Sequence, residues 1–524
     1  MLISARGLGG TTQAVRRTFP VRIIYLLTCA ALCAQRPLQI PKVWDDAAIA
    51  SIDLPLADTA ASPVHVSSKY YYGIPVRPIY KSYSVYAPGR EPSGYLDWLK
   101  RQEPQIAFDA ARLKTTEDWI RAGEIVFDAP IAYGHIFRVP ADDLYLRLPD
   151  WYRSTQAPLL KDGCLPFYRY VIREKGKVEI GVNSCGMCHT RVMPDGSALK
   201  GAQGNFPFDR AFAWDLRNRP KLMGPFTSFV ARRVSRMLYS APWIHPDAYP
   251  EIDRLGWEEI AARHAAIPAG VLSRHGTSPH SPAKIPDLIG VEQSRYLDAT
   301  GLTQHRDIGD LMRYAAMNQD EDILSQYGEF VPLKALPFFI ATVPADPAKL
   351  AGGRYSDEQL FAMALYLYSL RPPANPNRPN ALTATGTRVF EREGCPACHT
   401  PPLYTNNALT PAMGFRPPQG DAKRFAIVPM VVSTDSTLAL KTRRGTGYYK
   451  VPSLKGLWYR GPIEHNGSVA SLEDWFDPKR LTDGYIPTGF KPEGVKRAAV
   501  KGHEFGLKLP VDERKALIAF LRTL

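Results

Sequence analysis

The chain has 524 residues, a formal net charge of +14 and seven cysteines. Its lysines and arginines are dispersed rather than gathered into a stripe, and no nucleic-acid-binding motif is present, so nucleic acid is excluded as an expected partner. A basic surface favours an acidic partner or an anionic surface, although it is also typical of a soluble basic protein. No stretch after residue 34 has the about 17–25 apolar residues that a membrane-spanning helix needs.

Residues 1–34 have the composition of a secretory signal peptide. Four arginines precede a twelve-residue apolar run, Ile23–Ala34, which ends in small residues. The run is too short for a convincing membrane anchor, so we expect cleavage near Ala34 and no stable membrane insertion afterwards. Cleavage removes the four arginines and no acidic residue, which leaves a net charge of +10. The mature chain is expected to be soluble and periplasmic.

Two copies of the pattern Cys-x-x-Cys-His are the most informative feature of the sequence. They are Cys185-Gly-Met-Cys188-His189 and Cys395-Pro-Ala-Cys398-His399, and a threonine follows each. The spacing suits two thioether bonds to the vinyl groups of a haem and an adjacent histidine ligand to its iron. A zinc knuckle or a redox Cys-x-x-Cys is the alternative, which two copies in an exported chain disfavour. The motifs therefore predict two covalently bound haem c groups.

The cysteines of the two motifs, Cys185, Cys188, Cys395 and Cys398, are thus the predicted attachment residues. His189 and His399 are the predicted proximal iron ligands of haem 1 and haem 2, the haems of the first and second motif. Once both haems are attached, Cys164 has no partner, and we interpret it as a buried thiol near the first haem.

Matched segments around the two motifs indicate an internal repeat. A helix with the pattern Gly-x-x-Val-Phe precedes each motif, a Pro-x-Leu-x-Gly segment follows it, and an amphipathic helix closes each unit. Ser356 is the expected N-cap of the first closing helix. The pairs are Gly123–Phe127 and Gly386–Phe390, Pro286–Gly290 and Pro452–Gly456, and Ser356–Leu370 and Val511–Leu524.

The repeat predicts a mainly α fold of two tandem cytochrome c-type domains, with long irregular insertions in the first. We divide the chain into a signal peptide (1–34), an extended arm rich in Tyr and Pro (35–89), a first haem domain (90–372), a Pro-rich linker (373–380) and a second haem domain (381–524). The insertions separate Phe127 from Cys185 and run from about Leu199 to Pro282. Because loops of this length are usually functional or disordered, we expect them to wall a cavity over haem 1.

These motifs resemble the bacterial di-haem cytochrome c peroxidase superfamily, which includes MauG-type enzymes and longer rubber-oxygenase-like proteins. The resemblance covers most of residues 100–524 and includes the stretch His465-Asn-Gly-Ser-Val-Ala-Ser-Leu-Glu-Asp-Trp-Phe476. The insertions and the element Gly502-His503-Glu-Phe-Gly506 are most similar to the long, rubber-oxygenase-like branch. Relatives often carry a tryptophan between their haems where this chain has Ile289, which puts tryptophan-mediated radical sharing in doubt.

The sixth iron ligands decide what each haem does, because only an open or displaceable position binds oxygen or peroxide. For haem 2 the candidates are His503, which precedes the closing helix where the superfamily places its distal ligand, Met413 and His465. His503 is ranked first. A histidine there implies a bis-histidine, low-spin haem that transfers electrons.

For haem 1 the resemblance places a distal pocket near the loop that contains His305 and Arg306. His305 suits acid–base assistance to O–O cleavage, and Arg306 suits stabilisation of negative charge. His305 could equally be a displaceable ligand, or a surface histidine in a structural loop. These two residues are the catalytic candidates.

The sequence thus predicts a periplasmic di-haem oxidoreductase in which haem 1 activates peroxide or O2 and haem 2 transfers electrons. A non-catalytic electron-transfer cytochrome is one alternative, and an oxygenase acting on a hydrophobic substrate is the other. The expected partner is a redox protein or a small-molecule oxidant or substrate.

Overall fold

Two crossed pairs of helices frame the predicted haem motifs, and short antiparallel strands surround them. The computed structural model describes residues 39–133, 145–218, 226–273, 276–319, 324–335, 344–349 and 352–524. The predicted signal peptide, with Cys29 and Cys33, lies outside these residues. Within them, no helix is long and apolar enough to cross a membrane.

The α-helices of the described residues occur along the whole chain. In the first half they are α1 (Asp46–Ala50), α2 (Ser68–Gly73), α3 (Tyr95–Lys100), α4 (Thr116–Asp128), α5 (Pro149–Thr155), α6 (Cys185–Cys188), α7 (Phe208–Asn218), α8 (Phe226–Tyr239) and α9 (Trp257–Ala265). In the second half they are α10 (Ile308–Asn318), α11 (Asp357–Ser369), α12 (Ala381–Arg392), α13 (Asp421–Arg424), α14 (Thr437–Leu440), α15 (Leu472–Trp475) and α16 (Val511–Leu521).

The strands are short and antiparallel. They are β1 (Pro63–Val64), β2 (Ser82–Tyr86), β3 (Ala132–Tyr133), β4 (Cys164–Glu174), β5 (Lys177–Val182), β6 (Thr190–Val192), β7 (Ala198–Lys200), β8 (Val271–Leu272), β9 (Ala283–Lys284), β10 (Tyr296–Leu297), β11 (Thr303–Gln304), β12 (Gln326–Tyr327), β13 (Leu409–Pro411) and β14 (Tyr448–Lys450). Four of them form a sheet in the order β2-β4-β5-β3, and the others pair in twos. In the sheet, Tyr170 lies opposite both Tyr83 and Ile180.

The prediction of a mainly α fold is therefore wrong, because the chain is mixed α/β. The four-stranded sheet lies largely in the first insertion, where the sequence predicts irregular loops. Strand β4 is buried on both faces over most of its length, so its sequence lacks the apolar–polar alternation that marks a half-buried strand.

The helices that the repeat predicts are present and pack in two equivalent pairs. Helix α4 lies against α11, and α12 lies against α16. The expected N-cap is confirmed, since the Ser356 hydroxyl accepts a hydrogen bond from the backbone N–H of Gln359, and the Gln359 side-chain oxygen accepts one from the Ser356 backbone N–H. This reciprocal arrangement satisfies two N–H groups that a helix start otherwise leaves unpaired.

The glycine of each repeat lies where its two helices cross. A Cβ atom added to Gly123 would lie 2.0 Å from the carbonyl oxygen of Ala362, and one added to Gly386 would lie 2.0 Å from that of Ala516. Side chains other than hydrogen are therefore excluded at both crossings, and the two backbones approach closely. The repeated glycine is a packing requirement of the paired helices.

The phenylalanine of each repeat packs one helical turn beyond its glycine. The rings of Phe127 and Tyr366 are 5.4 Å apart between centroids, and those of Phe390 and Phe520 are 5.3 Å apart. Glycine and phenylalanine four residues apart share one face of a helix. The same crossing is thus built twice, once in front of each Cys-x-x-Cys-His motif.

The segment for which the sequence predicts an extended arm adds to the first core. Trp44 and Tyr71 are fully buried and stacked, with ring centroids 4.5 Å apart. They belong to the same apolar cluster as Phe127 and Leu360. Strand β2, from the same segment, forms one edge of the four-stranded sheet.

Candidate haem-binding sites

Each Cys-x-x-Cys-His motif is a single tight turn. In the first, the Ser184 hydroxyl accepts a hydrogen bond from the backbone N–H of Met187 at 3.1 Å, which starts helix α6. In the second, Gly394 has a φ of 75° and leads into a 3₁₀ turn at Cys395. One turn places both cysteines and the histidine close together, as attachment to one porphyrin requires.

Burial raises the thiol pKa of Cys185, Cys395 and Cys398. It raises the pKa of Cys185 to about 12 and that of Cys395 to about 11. A redox-active Cys-x-x-Cys needs the opposite shift, because the thiolate is the nucleophile. In the described part of the chain, no group of three or more His, Cys, Asp or Glu side chains is suited to hold a metal ion.

Two side chains that the sequence does not single out contact the first motif. The Gln319 side chain donates a hydrogen bond to Cys185 Sγ at 3.1 Å, and Met363 Sδ lies 3.6 Å from the same sulfur. Gln319 follows helix α10, and Met363 lies in α11. Cys164 is buried at the start of β4, where burial raises its thiol pKa.

The proximal histidines are oriented by backbone carbonyl groups. Nδ1 of His189 lies 3.1 Å from the carbonyl oxygen of Pro286. Nδ1 of His399 lies 3.2 Å from that of Tyr404, and the backbone of Pro452 raises the pKa of the same ring. A carbonyl only accepts, so Nδ1 must carry the proton and Nε2 keeps its lone pair. A metal-ligating histidine is held in this way in known metal sites.

Pro286 and Pro452 are the repeated prolines of the two Pro-x-Leu-x-Gly segments. The repeat in the sequence shows that the two prolines are equivalent. Their contacts with the histidine rings involve only backbone groups, so the sequence does not predict these contacts. Burial lowers the pKa of His189 to about 4 and also lowers that of His399. Both rings are therefore neutral near pH 7, which is the form that ligates metals.

His503 lies opposite His399. The centroids of the two rings are 6.5 Å apart, and their planes are inclined by 60°. Two imidazoles that each bind one iron through a nitrogen, at metal–nitrogen distances of about 2 Å, have ring centres roughly 6 Å apart. Burial lowers the pKa of His503 to about 4, so this ring is also neutral. The separation fits a bis-histidine iron.

Three residues position the loop that carries His503. Arg480 is fully buried and donates hydrogen bonds to the carbonyl oxygens of His503 and Val500, both at 2.8 Å. The indole of Trp475 packs edge-on against the His503 ring at 5.3 Å. Gly502 has a φ of 139°, and a Cβ there would lie 2.8 Å from the Trp475 ring. Trp475 belongs to the stretch that carries the family resemblance, whereas Arg480 has no sequence signal.

The other candidate ligands of haem 2 lie elsewhere. Met413 is 42% exposed at the surface. His465 is buried, and its Nδ1 is 2.7 Å from Glu464 Oε2 while its ring packs against Tyr449 at 4.7 Å. Neither residue is brought to the His399 ring by a described contact.

The structure places the catalytic candidates in hydrogen bonds of the fold. His305 Nδ1 lies 2.7 Å from the Ser294 carbonyl oxygen, so it donates there, and Nε2 accepts from the Tyr368 hydroxyl at 2.8 Å. Burial lowers the pKa of His305. Arg306 forms a two-point ion pair with Asp310, at 2.7 and 3.0 Å. No described contact joins either residue to His189, and their catalytic role stays a prediction.

Both insertions pack on the first motif. Met187, inside the motif, is buried in one cluster with Phe167 and Tyr168 of β4 and with Phe206 and Trp214 of the second insertion. The ring centroids of Phe167 and Phe206 are 4.9 Å apart. The insertions therefore surround haem 1's motif with aromatic side chains.

The residues present fit two covalently attached haems. Each motif offers two cysteines for thioether bonds and one histidine oriented by a carbonyl oxygen, and at the second motif a second histidine faces the first. Haem c supplies a redox-active iron that transfers electrons and, where a coordination position is open, binds oxygen or peroxide.

Comparisons with known proteins add no identification. No family model matches the chain, and no curated protein matches it. Among solved structures, the chain is similar to Kuenenia stuttgartiensis hydrazine synthase pressurized with 20 bar xenon, with 14% identity and a TM-score of 0.26 over 57% of this chain and 89% of that chain. A TM-score this low supports no conclusion about fold or function.

Proposed function

We propose that the chain is a periplasmic di-haem c-type cytochrome of the di-haem peroxidase type, with two functionally different haems. His189 and His399 would hold the two haems as proximal ligands, and His503 would be the second ligand at the second motif. The haem of the second motif would supply electron transfer, and that of the first would supply reactivity towards peroxide or O2.

The observation that carries the proposal is the facing pair of histidines at the second motif. His399 and His503 lie at the separation that one shared iron requires. Their approach results from three independent devices: the Cys-x-x-Cys-His turn, the carbonyl contacts of His399 and the buried Arg480 that holds the His503 loop. A haem with two protein ligands is closed to substrate and exchanges electrons only.

The different surroundings of the first motif support a reactive haem 1. The four-stranded sheet and the second insertion pack aromatic side chains against Met187. A di-haem protein that only carries electrons does not need these additional segments. A substrate oxidised at haem 1 would be recognised by residues from these insertions, and an apolar one would suit the oxygenase alternative.

The test uses the purified full-length protein. We expect the intact mass to show two covalently bound haems, and the ferric optical and EPR spectra to show one low-spin and one high-spin haem. The high-spin signal should change on addition of hydrogen peroxide. A chain without haem would refute the cytochrome assignment, and two low-spin haems inert to peroxide, both fully oxidised and half-reduced, would identify an electron carrier.

A cysteine variant assigns each signal to its site. Cys395→Ser/Cys398→Ser should lose one haem and the low-spin signal, and should keep the peroxide-sensitive signal of haem 1. Cys164→Ser is the matched control, since Cys164 is a buried cysteine outside both motifs, and it should retain both haems. Retention of the low-spin signal by the double variant would reverse the assignment of the haems.

A further inference from the structure

The internal repeat includes a lysine two residues before each histidine-binding proline. Strand β9 ends at Lys284, two residues before Pro286, and strand β14 ends at Lys450, two residues before Pro452. Each lysine therefore lies close in the chain to a carbonyl oxygen that interacts with a proximal histidine.

The backbone of each lysine is tied to the opposite half of the chain. The Lys284 N–H donates to the His465 carbonyl oxygen at 2.7 Å, and the Lys450 N–H donates to that of Ala299 at 2.9 Å. Lys450 Nζ also donates to the Tyr296 carbonyl oxygen at 3.0 Å. Both lysines therefore lie where the two halves of the repeat meet.

Two arginines, Arg191 and Arg460, interact with the same carboxylate as Lys284, that of Asp287. Arg460 Nε is 3.8 Å from Asp287 Oδ2, and Arg191 donates to the carbonyl oxygen of Gly461 at 3.3 Å. Lys284 interacts electrostatically with both Arg460 and Lys450. Burial lowers the pKa of Lys284 to about 7 and that of Lys450 to about 8. We call Arg191, Lys284, Lys450 and Arg460 the cation cluster.

Two carboxylates face these four cations, and both have other partners. Asp287 accepts hydrogen bonds from the Tyr459 hydroxyl at 2.8 Å and from the Ile289 backbone. Glu464 is bound to His465 and to the Thr434 hydroxyl. Because the four cations outnumber the two carboxylates, the cluster carries a net positive charge that a further anion would stabilise.

We propose that the cation cluster binds the propionate carboxylates of the haems. This inference rests on the proposed function. Each haem carries two such carboxylates. One residue separates Lys284 from Pro286 and one separates Lys450 from Pro452, the two prolines whose carbonyl groups interact with His189 and His399. Lysines and arginines provide the charge-assisted hydrogen bonds that carboxylates accept. The cluster would thereby fix both macrocycles at the junction of the two halves and tune their potentials.

The experiment is a spectroelectrochemical titration of the full-length holoprotein, after its mass has established two covalent haems. Lys284→Met and Lys450→Met are each expected to lower the midpoint potential of at least one haem, because a cation next to haem favours the reduced, electron-richer state. Lys455→Met is the matched control, since Lys455 is exposed on the following loop, and its potentials should equal those of the wild type. Lys284→Arg, which keeps the charge, should restore the wild-type values.

Two outcomes would overturn the inference. Potentials of the lysine variants that match those of Lys455→Met would show that the cluster does not contact the haems. A wild-type potential that shifts with inorganic phosphate at constant ionic strength, and stops shifting in Lys284→Met, would show that the cluster binds a free oxyanion instead.

A second measurement covers the case in which a methionine variant does not fold. Resonance Raman spectra of the wild-type and Lys284→Arg holoproteins should differ in the propionate bending bands, because arginine and lysine present different donors to a carboxylate. Identical bands would contradict the proposal. A chain that carries no haem refutes the proposed function before any lysine is tested, whereas two haems with unaltered potentials and bands refute this inference alone.

Discussion

The two haem motifs are framed by the same helix crossing but differ in what surrounds the histidine. At both, a glycine lets two helices touch and a phenylalanine packs one turn further on. At the second motif, a short loop held by buried Arg480 brings His503 to face His399. At the first, two long insertions pack aromatic residues against Met187. The frame is thus duplicated, and the surroundings of the two motifs differ in the segments outside the helix pairs.

The segments around each motif can therefore differ while the helix crossing in front of it stays the same. The helix pair and the proline carbonyl position the proximal histidine in each half. What lies on the other side of the haem comes from segments outside that frame. A variant in those segments should therefore alter one haem and leave the other unchanged.

The largest effect is expected from removal of His503. His503→Gly should convert haem 2 from low-spin to high-spin, because its second nitrogen ligand is lost, and added imidazole should restore the low-spin spectrum. EPR and optical spectra measure both states. Met413→Leu and His465→Gln are the controls, and each should keep the low-spin signal.

If instead Met413→Leu abolishes the low-spin signal and His503→Gly does not, Met413 is the second ligand of haem 2 and the assignment of His503 is wrong. A change in the haem 1 signal on His503→Gly would show that the two sites are not independent.

The sequence predicts the features that motif spacing and close packing impose. The four predicted attachment cysteines follow from the spacing, and the paired helices follow from the repeated glycine and phenylalanine, because a Cβ at either crossing would overlap a carbonyl group. Of the three candidate ligands, His503 is the one whose ring lies near that of His399, and its role as a ligand stays a prediction.

The missed features depend on contacts that leave no local pattern. Strand β4 is buried on both faces, so its sequence does not alternate and the mixed α/β fold was not predicted. Arg480 donates hydrogen bonds to three backbone carbonyl oxygens, including that of His503. Every residue type has a backbone carbonyl group, so these contacts cannot be recognised from the sequence. Gln319 reaches Cys185 from 134 positions away in the sequence.

An intermediate effect is expected at the helix crossings. Gly123→Ala and Gly386→Ala should each lower the free energy of unfolding. Overpacking at the crossing costs roughly 2–3 kcal/mol, and the greater helix propensity of alanine offsets about 1 kcal/mol of that loss. Thermal and denaturant unfolding measure the change. Gly484→Ala is the control, since a Cβ there has no atom within 4 Å.

A net gain of stability in either variant would contradict the close approach at that crossing. A loss at one glycine only would break the equivalence of the two frames, and would locate the divergence in the helices rather than in the loops.

The smallest effect concerns the haem 1 half, at the hydrogen bond between Tyr368 and His305. Tyr368→Phe leaves the buried Nε2 of His305 without its donor, so we expect a loss of roughly 1–2 kcal/mol in the free energy of unfolding. Tyr83→Phe is the control, because the buried Tyr83 hydroxyl has no hydrogen-bond partner among the described residues. An unchanged stability would show that the bond does not form.

The same variant separates the two roles of His305. A structural histidine changes stability alone, whereas an acid–base group whose Nε2 is released from a phenol also changes the rate or the pH profile of the peroxide-induced optical change. An unchanged rate and profile would leave the ion pair of Arg306 with Asp310 and the bonds of His305 as elements of the fold. A tenfold change in rate would instead assign the distal side of haem 1 to this loop. His305 would then be the counterpart, in the first half, of His503 in the second.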